Sequence, residues 1–376
     1  MKSTVIRTII ALSLLTLAGC AGVARNPLPY EELETARVLG RDDLRYWGDL
    51  TRINTNEYLF EDMSPERVRK RYGGISGTEH NYLALSGGGA NGAFGAGALV
   101  GWTAEGSRPE FTIVTGVSTG ALIAPFAFLG PDYDEQLQEV YTTTDSSGIF
   151  NHRSLFKIVG GDGLVDASPL KATLKKYVTD EMVAKIAAEY SRGRMLLIAT
   201  TNLDASRPVI WNIGRIASSN HPDARYLIHD ILTASASIPG AFPPVYIAVT
   251  GSDGNTYDEM HVDGGAAAQM FLYPGGIDWD RVMDALDVQG TPKAYLIRNS
   301  RIRPEYEPVN PRLSKIAART IDSLIRTQGV GDAYRIYALA ERDGVEVSIT
   351  WIPRDAVEDN SDETFDPEYM STLFDY

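Results

Sequence analysis

The sequence predicts an α/β protein whose mostly parallel central sheet is covered by helices on both faces, a three-layer α/β/α arrangement. Two observations carry this. Short runs of consecutive apolar residues, such as Tyr82-Leu83-Ala84-Leu85 and Phe111 to Thr115, read as strands buried on both faces, because a strand with one wet face would alternate. Helical stretches follow these runs, from about Gly92 to Trp102 and from Thr119 to Leu129, and this alternation builds parallel sheets through crossover connections. Further strands are expected at Leu196 to Thr200, Val209 to Ile213 and Ala294 to Ile297.

Composition supports a folded body and narrows its chemistry. The chain has 376 residues, 44% hydrophobic and 22% charged, long enough for one large α/β core or two smaller domains. Its net charge of −14 argues against a nucleic-acid partner, which needs a basic surface to displace counterions from phosphates. The single cysteine excludes an intrachain disulfide and a multi-cysteine metal site. The five histidines show no metal-ligand spacing, so no metal is expected.

The N-terminus reads as an address. Lys2 and Arg7 form a basic n-region, and the apolar run from Ile9 to Leu17 falls well short of the ~20 residues that span a bilayer. It ends in Leu17-Ala18-Gly19-Cys20, which resembles the lipobox of bacterial lipoproteins. That resemblance implies a signal peptide over 1–19, lipidation of Cys20 and a chain tethered to the bacterial cell envelope. Ala21 after the cysteine, where an Asp would favour retention, leans the assignment to the outer rather than the inner membrane. The bland alternative is an ordinary secretory signal with a chance cysteine. Loss of Lys2 and Arg7 would leave a body near −16 (−14 − 2), so attachment is expected to rest on acyl chains and not on a basic patch.

Residues 20–78 read as a stalk and N-terminal extension, with Pro27 and Pro29 in an extended segment and Pro65 opening a short helix. The main domain is expected over 79–276. An α/β extension packed on the core follows over 277–376. It contains an amphipathic helix with Leu313, Ile316, Ala317, Ile321, Leu324 and Ile325 on one stripe, read as packing, and an alternating strand with Val345, Val347, Ile349 and Trp351. From Asp355 on, the acidic stretch reads as a solvated tail.

Two glycine motifs lie at strand-to-helix junctions. Gly87-Gly88-Gly89-Ala90-Asn91-Gly92 fits a dinucleotide-binding turn, an oxyanion hole built from consecutive amides, or a purely structural turn. Gly116-Val117-Ser118-Thr119-Gly120 is more telling. It is a G-x-S-x-G between a strand and a helix, the context in which a serine is held on a strained turn with Oγ exposed. The base is less determined. His261-Val262-Asp263-Gly264-Gly265 puts His261 and Asp263 on one face of an extended segment, so either Asp263 alone or a relay through His261 could activate Ser118.

Together, the glycine turn, the G-V-S-T-G elbow and the late Asp-Gly-Gly resemble the patatin-like phospholipase family, over roughly Asn81 to Gly276. Asp162-Gly163-Leu164-Val165-Asp166, Ala199-Thr200-Thr201-Asn202-Leu203 and Ala234-Ser235-Ala236-Ser237-Ile238-Pro239 fall in the family's order. The resemblance implies a patatin-like acyl hydrolase domain with a Ser118–Asp263 dyad and an oxyanion hole at Gly87, Gly88 and Gly89. It also marks Gly92, Gly116, Gly120, Gly264 and Gly265 as motif positions and demotes His261 to a neighbour. It implies no cofactor, and a lipid or phospholipid as substrate. Asn91 departs from the family, which often has Arg or Lys there. The same machinery would serve a neutral lipid esterase or thioesterase, and a non-catalytic envelope lipoprotein could keep the fold. Protein partners are not indicated.

Overall fold

The computed structural model describes residues 25–49, 64–152, 163–304, 306, 308–357 and 364–376. Residues 1–19, read above as a signal peptide, together with Cys20 and Asp162, lie outside them. Five strands form a parallel centre, in the order β6 (Met195–Asn202), β3 (Ile113–Val117), β2 (Asn81–Leu85), β10 (Lys293–Arg298) and β11 (Glu346–Trp351). On the far side of β6 the sheet turns antiparallel, through β7 (Arg207–Asn212) to β1 (Arg45–Trp47). β9 (Thr256–Asp263) also pairs with the end of β6 and carries β8 (Val245–Thr250). β4 (Asn151–His152) and β5 (Val165–Asp166) form a separate small ribbon.

The period-2 rule accounts for the three layers. Leu83, Leu85, Val114, Leu196 and Ile198 belong to one apolar cluster, while Tyr82, Ala84, Ile113, Val117 and Leu197 belong to another. Against the first face pack α2 (Gly92–Glu105), α3 (Thr119–Leu129), α4 (Asp134–Thr143), α5 (Ser168–Tyr177), α6 (Asp180–Arg192) and α7 (Ala224–Ser235). The second face is covered by α1 (Pro65–Tyr72), α8 (Trp279–Leu286) and the C-terminal part of α9 (Leu313–Arg342). α1 opens where Pro65 predicts, with Ser64 Oγ accepting the amide of Arg67 at 3.3 Å. No helix of the described residues is long and apolar enough to cross a membrane.

Four expectations change. Over its described residues, 25–49 and 64–78, the stretch read as a stalk is bound to the domain. The Arg25 guanidinium pairs with Asp258 at 2.7 Å and Asp204 at 2.6 Å, Leu28 is buried in the core, and β1 extends the sheet. Two half-buried carboxylates thus hold the cation in place. Second, the boundary at 276 cuts the sheet, since β10 lies between β2 and β11 in the parallel centre. Third, the acidic C-terminus ends in a packed helix, α10 (Pro367–Asp375), with Met370, Leu373 and Phe374 buried against the first-face cluster. Net charge misleads here because the apolar residues recur at helical spacing on one side.

The fourth change concerns α9. The stripe expected to pack stays in solvent: Leu313 is 84% exposed and Leu324 65%, with Ile316 and Ile321 about half exposed. Along the helix, burial begins only near its middle, with Gly329, Asp332, Ile336 and Ala340.

Candidate active site

Ser118 sits where β3 ends and α3 begins, with φ 55° and ψ −126°. A non-glycine residue there is strained, and the strain is held by close packing of the turn. A Cβ on Gly120 would lie 2.4 Å from the carbonyl oxygen of Leu85, and one on Gly116 2.5 Å from that of Gly120, so both flanking positions require glycine. The Ser118 amide donates to Ser235 Oγ at 3.0 Å, and Ser235 in turn donates to the Ala199 carbonyl at 2.7 Å. The elbow is thus pinned to α7 and β6.

Asp263 closes β9, in register with Thr200 of β6, and the pairing carries it to the crest where β3 ends. Ser118 Oγ donates to Asp263 Oδ2 at 2.6 Å. The other carboxylate oxygen, Oδ1, accepts the Gly265 amide at 2.7 Å. The Asp263 backbone is fixed by its own amide donating to the Ser237 carbonyl and by Thr201 Oγ1 donating to its carbonyl. Gly264 follows in a short turn whose backbone presses on Ala199. Burial raises the Asp263 carboxyl from 3.8 to about 6, against the hydrogen bonds from Ser118 and Gly265 that favour its charged form. Such a carboxylate is still mostly ionised at neutral pH and is a stronger base than an exposed one.

His261, the other candidate base, points elsewhere. It is fully buried, its Nδ1 is 2.9 Å from Thr200 Oγ1 and its Nε2 3.1 Å from Glu259 Oε2. Both ring nitrogens are therefore engaged, and neither bonds to Asp263 or Ser118. Burial lowers its pKa more than the neighbouring Glu259 raises it, which disfavours a charged ring. Burial pushes Glu259 up, but the ion pair with Arg45 (2.8 Å between Nη2 and Oε1) outweighs it and keeps the carboxyl well below its usual range. A relay through His261 has no path in this arrangement.

The glycine turn lies over the serine. The Cβ position of Gly87 is 3.1 Å from Ser118 Cβ. The Gly87 amide, one of three expected oxyanion donors, is occupied here by the Gln269 carbonyl at 3.3 Å. Among the described residues the Gly88 and Gly89 amides have no acceptor, and they form the open pair. Gly88 cannot carry a side chain, because its Cβ would lie 2.1 Å from the Asn299 carbonyl oxygen. Gly92 begins α2 and abuts Thr119 and Tyr141. Asn91 accepts a 2.6 Å hydrogen bond from Tyr369 of α10.

Sequence reasoning gives no role to Ser235, Ser237, Thr201 or Gln269, yet all four hold the elbow, the carboxylate or the glycine turn. Gln269 also donates to the Gly265 carbonyl at 2.8 Å and is tied to α9 through Asp332, which accepts its amide at 2.7 Å. Three of the four lie in or beside segments with a family-like order. Their roles depend on strand pairing that no local pattern reveals. Among the described residues no cluster of side chains could hold a metal ion.

A family model described as Patatin-like phospholipase matches residues 83–273, half of the chain. Two potato (Solanum tuberosum) proteins are similar over shorter stretches. Patatin-T5 is 26% identical over 171 residues, covering 42% of this chain and 39% of that protein. "Probable inactive patatin-3-Kuras 1" is 30% identical over 95 residues, a quarter of each. The chain thus spans between a quarter and two fifths of the length of these relatives. Among solved structures, VipD from Legionella pneumophila aligns over 79% of this chain and 65% of its own, at 12% identity and a TM-score of 0.36.

Proposed function

The chain belongs to the patatin-like phospholipase family, a family of lipid acyl hydrolases, and from that premise we propose that it is a serine hydrolase cleaving acyl esters of lipids with a Ser118–Asp263 dyad. The observation that carries this reading is the 2.6 Å hydrogen bond from Ser118 Oγ to a buried carboxylate whose pKa stands near 6. Asp263 takes the Ser118 proton as Oγ attacks the ester carbonyl. The Gly88 and Gly89 amides stabilise the oxyanion, helped by the N-terminal end of α3. As the intermediate collapses, Asp263 returns the proton to the departing alcohol oxygen and an acyl-serine ester remains. Water then loses a proton to Asp263, attacks that ester, and Ser118 leaves reprotonated. The Ser118 amide is held by Ser235, so the hole depends on the glycine turn.

The chain is further proposed to act at the bacterial envelope through a lipidated Cys20. Only five residue steps separate Cys20 from Arg25, where the chain is bound to the domain, a reach of at most ~18 Å. The tether would hold the body close to the bilayer.

The test is product analysis by mass spectrometry after incubation with a mixed lipid extract. Free fatty acid released by wild type and not by Ser118→Ala supports the reading. Equal release from both contradicts it.

A further inference from the structure

A cavity of about 300 Å³ opens beside the glycine turn, between Asn91 and the solvent-exposed part of α9. Four arginines line it, Arg301 and Arg303 from the segment after β10 and Arg319 and Arg326 from α9, against one carboxylate, Asp322. This is a concentration of positive charge on a chain of net charge −14. Arg319 pairs with Asp322 at 3.1 Å and Arg301 donates to the Val357 carbonyl at 3.1 Å. Among the described residues Arg303 and Arg326 have no carboxylate partner. Burial first, and then the neighbouring Arg326 against the opposing effect of Asp332, hold the nearby Arg298 below its usual pKa.

On the adjoining side of α9 lies an apolar groove of about 450 Å³ lined by Val309, Ile316 and Leu324, with Arg319 and Ser323 common to both spaces. A basic cavity that shares a wall with an apolar groove suits an amphiphile carrying an anionic head. The cavity reaches Asn91, two residues past the open Gly89 amide, at the end of the glycine turn that lies over Ser118.

We propose that this cavity is a phosphate subsite, in which Arg303 and Arg326 hold the headgroup phosphate of a phospholipid substrate. The proposal rests on the acyl-hydrolase reading and deepens it, selecting phospholipids over neutral lipids. Guanidinium forks suit this, since they bind phosphate oxygens through paired charge-assisted hydrogen bonds.

The test compares kcat/KM for a short-chain phosphatidylglycerol with that for diacylglycerol of the same acyl length. In Arg303→Gln and Arg326→Gln the phospholipid-to-neutral ratio falls about tenfold each, mainly through KM, and Arg326→Lys recovers part of the loss. An unaltered ratio in the double variant overturns the proposal. Inorganic phosphate separates the two sources of the anion. Competition with phosphatidylglycerol in wild type and not in the double variant supports the subsite. Phosphate binding, followed by phosphorus NMR, together with an unaltered hydrolysis ratio makes it a free-anion site and overturns the headgroup assignment. Wild type that cleaves neither ester contradicts the hydrolase reading itself. The phosphate titration then stands alone, and equal line broadening in wild type and double variant overturns the cavity's role.

Discussion

Ser118 Oγ donates to Asp263 Oδ2 at 2.6 Å, while His261, two residues earlier on the same strand, is turned to Thr200 and Glu259. The strand therefore delivers a carboxylate to the serine and keeps the imidazole as part of the structure behind it. Replacement by Gln, which can keep one hydrogen bond, should leave kcat/KM for a p-nitrophenyl acyl ester within about threefold while lowering the melting temperature. Asp263→Asn should cost at least about 10²-fold in the same assay. Equal losses in the two variants would restore the histidine to the mechanism.

The buried position of Asp263 sets a pH dependence. With a folded pKa near 6, its basic form accumulates through that pH, so kcat/KM should rise from about pH 5 to a plateau above about pH 7. Stability moves the other way. A carboxyl with a folded pKa above its unfolded value favours the fold while protonated; that contribution is complete below 3.8 and lost as the pH rises through about 6. The unfolding free energy of Asp263→Asn relative to wild type, from denaturant titration, should therefore be more favourable at about pH 7.5 than at about pH 4, by on the order of 1–3 kcal/mol.

Arg45 and Glu259 form a nearly buried ion pair that ties the N-terminal segment to β9. Arg45→Met leaves the Glu259 carboxylate buried without its partner and should destabilise by about 3–5 kcal/mol in denaturant unfolding. Adding Glu259→Gln should return part of that. A loss in Arg45→Met within about 0.5 kcal/mol would mean that the segment does not bind the body as described.

The C-terminal helix makes a similar distinction. Leu373 is 1% exposed, and Leu373→Ala should cost about 2–5 kcal/mol, whereas a residue in a solvated tail would cost almost nothing. Thermal unfolding of the single variant decides between them.

The middle of the parallel centre was legible because β6, β3 and β2 are buried on both faces and announce themselves as unbroken apolar runs. β2 and β3, with the glycine turns that end them, follow directly from Leu83 to Gly92 and Ile113 to Gly120. What depends on distant pairing was not legible. β1 is three residues long, and Arg45 gains its meaning only from Glu259, far along the chain. Ser235 reads as one small residue among several until α7 sets it against the Ser118 amide. The α9 stripe has the spacing of a packed helix, and only the three-dimensional arrangement shows that nothing among the described residues covers Leu313 or Leu324.

The envelope assignment has its own measurement. Cys20→Ala should release the protein from salt-washed membranes, because a body near −16 (−14 − 2) with one basic cavity relies on acyl chains for retention. Retention equal to wild type would remove the lipid anchor from the account.

The central claim is that Ser118 is an activated nucleophile. Fluorophosphonate labelling of wild type, located by peptide mass spectrometry, tests it most directly. The account predicts a single adduct on Ser118, absent in Ser118→Ala and strongly slowed in Asp263→Asn. A wild-type protein that does not label, or labelling that persists in Ser118→Ala, would contradict it.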